Sequence, residues 1–255
     1  RLLTDDDGTP GRDYDGNGQP AQIVTGGGVF IGELRQVVGQ PLGQIYTFPL
    51  LRNEQGQLIH TANGLPQRAP QQRSFGSALP RWFGGLTNTV TYKGISLSFL
   101  IDYRLGNKLI SGTNRNAIRH GLHRMTLVGR DSPNYLMAGE GVGPNGEPNT
   151  ARQNAQVYYE TMVANATGEA VVYDGGFVKL RQVTLGYDFS RFLPKTLFIK
   201  GLRLNFVANN VFILKKWVDN IDPEQFGFSS DNVVGLEATG VPTTRSLGFN
   251  LNARF

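Results

Sequence analysis

The last ten residues of the chain alternate strictly between apolar and polar side chains. The apolar set is Leu247, Phe249, Leu251, Ala253 and Phe255, and the polar set is Ser246, Gly248, Asn250, Asn252 and Arg254. A period of two residues places successive side chains on opposite faces of a β-strand, and a strand of about 9–11 residues can cross a bilayer at a tilt. A surface strand of a soluble β-sandwich alternates in the same way. This segment alone therefore leaves both architectures open.

The same alternation recurs upstream and predicts further strands. It is clear in residues 86–92, 95–104, 177–189 and 202–209, and weaker in residues 40–49. Within 177–189, Lys179 and Arg181 interrupt the apolar face, so we expect either a β-bulge near Gln182 or exposure of this part of the strand to charged lipid headgroups. With the last segment, these make about six strands and predict an all-β fold.

Short and long connections alternate between the predicted strands. The two residues Lys93-Gly94 join one pair and residues 190–201 form a moderate joint, whereas 50–84, 109–174 and 214–243 are long. Transmembrane barrels have short periplasmic turns and long extracellular loops, and very long loops are uncommon in compact soluble domains. The sequence therefore predicts a segment of a transmembrane antiparallel β-barrel. In this topology the three long segments are extracellular and Lys93-Gly94 is periplasmic.

One helix is predicted inside the longest loop, between Arg152 and Thr167. Apolar residues recur there at helical spacing, namely Ala155, Tyr158, Tyr159, Met162 and Ala166. Such a stripe packs either on the core of the loop itself or on a partner, and the sequence leaves both open.

Composition narrows the function classes. The chain contains no cysteine, which excludes disulfides and thiolate metal sites. No apolar stretch approaches the roughly 18 residues of a transmembrane helix. The net charge is +5 and the sequence pI is about 9.5, but Lys and Arg are scattered, so we expect no nucleic-acid partner.

Few residues are arranged for chemistry. Asp13, Asp15 and Asn17 have the opening spacing of a calcium-binding EF-hand loop, but Val24 stands where that loop needs a bidentate Glu. A turn is the simpler interpretation, so we expect no cofactor and keep calcium as a weak alternative. The chain has no Gly-x-Ser-x-Gly nucleophile motif, and we expect no enzymatic activity.

Several longer motifs resemble one known family. They are Val38-Gly39-Gln40-Pro41-Leu42-Gly43, Pro80-Arg81-Trp82-Phe83-Gly84-Gly85-Leu86-Thr87-Asn88, the strand from Phe177 to Tyr187, Asn209-Asn210-Val211-Phe212 followed by Asp222-Pro223-Glu224, and the terminal Phe255. In this order they are similar to signatures of the SusC/RagA family of TonB-linked outer-membrane transporters. Each motif is weak alone, and their shared order makes the resemblance specific.

This resemblance implies a function and a set of partners. Members are plugged barrels of about 22 strands that import glycan or peptide fragments under a SusD-like surface lipoprotein lid. By this resemblance, 37–255 would be the C-terminal barrel strands without the plug domain, and 1–36 an acidic loop or insert of uncertain side. The expected partners are the SusD-like lipoprotein, TonB through the plug, the barrel-assembly machinery, lipid and lipopolysaccharide, and an oligosaccharide or peptide substrate. The expected location is the outer membrane of a Gram-negative, Bacteroidota-like cell.

The alternation then assigns roles to single residues. Leu247, Phe249, Leu251 and Ala253 are expected to face lipid, and Phe255 is expected to be an assembly signal. The polar residues expected to line the lumen, contacting plug or substrate, are Arg203, Asn205, Asn209, Asn250, Asn252 and Arg254. The alternative function is a soluble carbohydrate-binding β-sandwich, which would instead show even turn spacing and a stripe of exposed aromatic residues.

Overall fold

Two compact units make up the chain in the computed structural model. The structure describes residues 22–24, 31–37, 39–164, 167–194, 196–225 and 234–255. The sheet unit comprises 80–106, 176–222 and 242–255, and the loop unit comprises the rest of the described chain.

The sheet unit is built on one antiparallel sheet of five long strands, because alternating segments pair with their apolar residues in register. The strands are β5 (Trp82–Tyr92), β6 (Ile95–Leu105), β11 (Phe177–Asp188), β12 (Gly201–Lys216) and β14 (Ser246–Arg254). Their spatial order in the sheet is β14-β12-β11-β6-β5.

One end of this sheet carries the short connections. Lys93 and Gly94 close the β5–β6 hairpin with φ angles of 47° and 91°, as expected of a two-residue primed turn. The β11–β12 joint and Arg254 lie at the same end, because Tyr187 pairs with both Ile95 and Leu204. The strands leave for the longer segments at the opposite end.

A β-bulge lies where Lys179 and Arg181 interrupt the apolar pattern. Pairing of β11 with both neighbouring strands shifts register between Leu180 and Gln182, which confirms the predicted bulge. The extra residue returns Leu180 to the apolar face, opposite Ile101. Lys179 consequently lies with Asp102 on the polar face.

The loop unit contains shorter elements. The strands are β1 (Gln22–Val24), β2 (Glu33–Val37), β3 (Gln44–Thr47), β4 (Arg73–Ser77), β7 (Lys108–Ser111), β8 (Leu136–Met137), β9 (Gln153–Asn154), β10 (Val172–Asp174) and β13 (Leu236–Glu237). One sheet has the order β1-β2-β3-β4, a second has the order β10-β7-β13, and β8 pairs with β9. The helices are α1 (Gly112–Arg119) and α2 (Ala155–Met162), with single turns of 3-10 helix at Arg124–Leu127, Pro133–Tyr135 and Glu169–Val171, and a further one in the sheet unit at Ser190–Phe192.

The loop unit has its own hydrophobic core. Ile45, Ile110, Ile118 and Leu236 are almost completely buried in it. The predicted helix is present as the shorter α2, and its stripe of Ala155, Tyr158, Tyr159 and Met162 joins this core. Packing of the stripe on the loop's own core is therefore confirmed for these four residues, whereas Ala166 lies outside the described residues.

Two expectations about fold class need correction. The fold is mostly β rather than all-β, because α1 and α2 form in the loop unit. The sheet has five strands instead of about six, because the predicted strand at 40–49 shortens to β3 and pairs with β2 and β4. The described sheets are not closed into a barrel. Among the described residues, no helix is both long and apolar enough to span a membrane.

Candidate functional site: the two faces of the sheet

The apolar face of the sheet is continuous across its strands. Leu204 pairs with Leu251 and Phe206 with Phe249, and the Phe206 and Phe249 rings lie 5.4 Å apart between centroids. Many side chains of this face are exposed, among them Leu86, Val90, Ile95, Leu97, Leu185, Leu247, Phe249 and Leu251. An exposed apolar surface of this extent marks contact with a membrane or a partner.

Three of the four residues expected to face lipid, Leu247, Phe249 and Leu251, lie on this face with more than 60 % of their surface exposed. Ala253 lies there as well, paired with Leu202. Phe255 follows the strand, and its ring stacks on Phe198 of the β11–β12 joint at 5.4 Å between centroids. The apolar residues thus share one face, and their contact with lipid remains a prediction.

The opposite face carries a connected set of polar side chains. Arg203 donates to the Oδ1 atom of Asn205 at 3.2 Å and to the Ser96 hydroxyl. A Cβ atom at Gly186 would lie only 2.4 Å from Asn205 Oδ1 and 2.6 Å from Ser96 Oγ. Only glycine therefore lets side chains from both neighbouring strands meet over β11.

A second group on this face crosses three strands. Gln182 Nε2 donates to Asn209 Oδ1 at 2.9 Å, and Asn209 Nδ2 donates to the Ser246 hydroxyl at 3.1 Å. Asn252 Nδ2 donates to Asn250 Oδ1 at 2.5 Å. The structure therefore brings five of the six predicted polar residues onto the same face: Arg203, Asn205, Asn209, Asn250 and Asn252. Arg254 ends β14 opposite Gly201.

Ion pairs lie beside the bulge, and sequence reasoning missed them. Lys179 Nζ lies 2.6 Å from Asp222 Oδ1, with both side chains 4 % exposed. The Thr243 hydroxyl donates to Asp222 Oδ2 at 2.6 Å, and Arg181 pairs with Asp102 at 2.6 Å. The sequence does carry a signal for these ion pairs, because Lys179 and Arg181 interrupt the apolar alternation. A buried charge needs a partner of opposite charge.

Metal binding has little support in the described part of the chain. No group of three or more His, Asp or Glu side chains is placed there to hold a metal ion. The weak calcium candidate, Asp13, Asp15 and Asn17, lies outside the described residues.

The chain is similar in sequence to a bacterial receptor. It is 27 % identical over 189 residues to the TonB-dependent receptor P39 of Formosa agariphila. The alignment covers 71 % of this chain and 17 % of that receptor, so the chain corresponds to a minor part of its relative. No family model matches the chain.

The fold is similar to part of solved transporters. The chain superposes on the RagAB peptide importer in its 'open-open' state with a TM-score of 0.59, at 15 % identity, over 96 % of this chain and 25 % of that chain. The 'closed-closed' state gives a TM-score of 0.57, at 14 % identity, over 87 % and 24 %. Both likenesses concern the fold. The sequence similarity confirms the resemblance to TonB-dependent receptors: the chain is homologous to part of such a receptor, and its fold matches part of the RagAB importer.

Proposed function

We propose that this chain forms part of the barrel wall of a SusC-like TonB-dependent importer in the outer membrane of a Gram-negative bacterium. The observation that carries the proposal is the sheet with one exposed apolar face and one hydrogen-bonded polar face. Homology to a TonB-dependent receptor supports the same location and a transporter that makes and breaks no bonds.

Under this proposal, the apolar face of the sheet contacts lipid and the polar face lines the lumen of the barrel. Lipid and lipopolysaccharide cover Leu247, Phe249, Leu251 and Ala253, since a barrel alternates apolar residues outward and polar residues inward. The lumen receives the polar set of Arg203, Asn205, Asn209, Asn250, Asn252 and Arg254. Those nearest the short turns contact the plug, because polar groups there need partners.

The proposal also names what the importer carries and which proteins it works with. The solved structures with a similar fold are those of a peptide importer, and the cargo proposed here is glycan or peptide fragments. A SusD-like lipoprotein would cover the entrance, TonB would act through a plug domain, and the barrel-assembly machinery would insert the strands.

A soluble carbohydrate-binding sandwich is the weaker alternative. A sandwich packs a second sheet about 10 Å above the first and buries the facing side chains. Phe249 is instead 77 % exposed and Leu185 is 49 % exposed, so the apolar face does not behave as a sandwich interior.

Epitope tags test this topology in the full-length protein. One tag is inserted between Asn145 and Gly146, in an exposed turn where nothing lies within 4 Å of a Cβ at Gly146. The matched tag is inserted between Lys93 and Gly94. We expect antibody to stain intact cells for the first tag, and to reach the second only after the outer membrane is opened. Staining of the Lys93-Gly94 tag on intact cells would contradict the topology.

A further inference from the structure

A cavity of about 380 Å³ opens in the loop unit between helices α1 and α2. Its floor is apolar and buried, formed by Ile118, Ala155 and Tyr159. Its exposed rim includes Arg119, Arg130 and Tyr135. This volume lies within the range of small-molecule sites, in which a few polar groups over an apolar surface fix the ligand.

The rim of this cavity is cationic. Two arginines line it, and no Asp or Glu is among its lining residues. The chain segment 112–130 contains four arginines and no acidic residue. The acidic side chain of Glu160 accepts a hydrogen bond from Gln156 at 3.0 Å but does not line the cavity. The positive charge at the rim is therefore not balanced by a carboxylate in its wall.

Of the two arginines that line the cavity, Arg119 is the less compensated. In the described part of the chain, no hydrogen bond or ion pair engages its guanidinium. Arg115 lies one helical turn earlier and donates to the Val163 carbonyl at 3.0 Å. Burial, and then the charge of Arg119, lower the pKa of Arg115. Like charges four residues apart destabilise a helix, and a bound anion would relieve this repulsion.

Arg130 is held in place with donors to spare. Its Nη2 atom donates to the Gly121 carbonyl and to the Thr126 hydroxyl, the latter at 3.1 Å. A guanidinium has five N–H donors in a planar fork, so further donors remain for a ligand. This fork matches the two oxygens of a carboxylate.

We propose that this cavity binds the carboxylate of a small ligand whose apolar part rests on Ile118, Ala155 and Tyr159. The carboxylate would belong either to the C-terminus of a peptide or to a uronic acid unit of an oligosaccharide. Arg119 and Arg130 carry the binding, and the first turn of α2 beside them adds a small favourable potential for an anion. The choice of these two ligand classes rests on the proposed function, whereas binding of a carboxylate at this site requires no import.

Calorimetry on the purified full-length protein in detergent tests the site. The probes are N-acetyl-trialanine and digalacturonate, each compared with its neutral counterpart, N-acetyl-trialanine amide and digalactose. Arg119→Gln is the main variant, because Arg119 holds no described contact. Arg130→Gln is the second, and Arg124→Gln is the matched control, since Arg124 is an exposed arginine of the same segment outside the cavity.

We expect at least one acid to bind, and its neutral counterpart to bind about tenfold more weakly or not at all, because the neutral compound lacks the charge-assisted hydrogen bonds to the two guanidinium groups. Arg119→Gln and Arg130→Gln should each lower the affinity about tenfold, and Arg124→Gln should leave it unchanged. Whichever acid binds identifies the source of the carboxylate. Binding of neither acid, or equal affinity in wild type and Arg119→Gln, would overturn the site while leaving transport untouched.

Discussion

At the scale of single residues, Phe255 has two features, its position at the end of a strand and its contact with Phe198, and mutations can test them separately. It is an aromatic residue at the end of the last strand, and its ring stacks on Phe198. The ring is 73 % exposed, so it contributes less than the roughly 1.5–3 kcal/mol of a fully buried large apolar side chain. A large effect of its removal would therefore come from assembly rather than from stability.

Deleting Phe255 from the full-length protein should lower its outer-membrane level sharply and leave the melting temperature of the inserted protein almost unchanged. The matched control is Phe198→Ala, which removes the stacked partner and keeps the terminal aromatic ring. Immunoblots of outer-membrane fractions measure the level. If both variants reach the wild-type level, Phe255 is an ordinary aromatic residue of the sheet end.

His60 is a second residue with a measurable consequence. It is completely buried in the loop unit, its Nε2 lies 3.2 Å from the Tyr158 hydroxyl, and its Nδ1 has no hydrogen-bond partner among the described residues. Burial lowers the pKa of His60 below its usual 6.5. As the pH falls, the unfolded chain therefore binds a proton at His60 before the folded chain does. The contribution of neutral His60 to the stability of the fold is complete above pH 6.5 and is lost as the pH falls through the pKa of the folded state.

The protection of residues 58–66 from hydrogen exchange should decrease as the pH is lowered from about 7 to about 5, by at most about 1.4 kcal/mol per pH unit. The His60→Gln variant should lack this component, while His120→Gln, which changes an exposed histidine, should keep it. Protection measured with exchange rates corrected for pH checks this expectation. Identical pH profiles for wild type and His60→Gln would contradict it.

At the scale of elements, local patterns were predictable and long-range partners were not. The strands at 86–92, 95–104 and 246–254 follow from a period of two residues, which each segment carries within itself. The bulge near Gln182 followed from Lys179 and Arg181, which break that period. The partner of Lys179, Asp222, lies 43 residues away, and no local pattern specifies that contact.

The predicted strand at 40–49 shows the same limit. Its β-forming residues give a strand, but only the pairing of β3 with β2 and β4 decides which sheet it joins. The polar face was predicted in part for a related reason. Arg203 and Asn209 follow from alternation, whereas their contacts with Ser96, Gln182 and Ser246 depend on register across strands.

The Lys179–Asp222 pair ties residues 217–222 to β11 and should be sensitive to single changes. Asp222→Asn leaves a buried ammonium without its carboxylate, and breaking a buried pair in this way costs about 3–5 kcal/mol. The double variant Lys179→Met with Asp222→Leu removes both charges and should recover most of this loss. Denaturant unfolding of the detergent-solubilised full-length protein measures the free energies. A double variant that is no more stable than Asp222→Asn would show that the two charges are not coupled.

At the scale of the whole molecule, the two units stabilise themselves in different ways. The loop unit buries a core around Ile45, Ile110 and Leu236, as a water-exposed structure must. The sheet unit instead exposes Leu247, Phe249 and Leu251, which is unfavourable in water and favourable in a bilayer. A barrel wall explains why the sheet unit exposes apolar side chains that the loop unit buries, because lipid would cover them.

The most direct test of the barrel wall is a spin-label scan of residues 246–253 in the full-length protein, reconstituted in bilayers. This chain contains no cysteine, so single cysteines can be introduced here without removing any. Oxygen concentrates in the hydrocarbon, and its collisions with the label report lipid contact. We predict collision maxima at positions 247, 249, 251 and 253 and minima at 246, 248, 250 and 252. Maxima at the even positions, or no alternation, would contradict the assignment of this face to lipid.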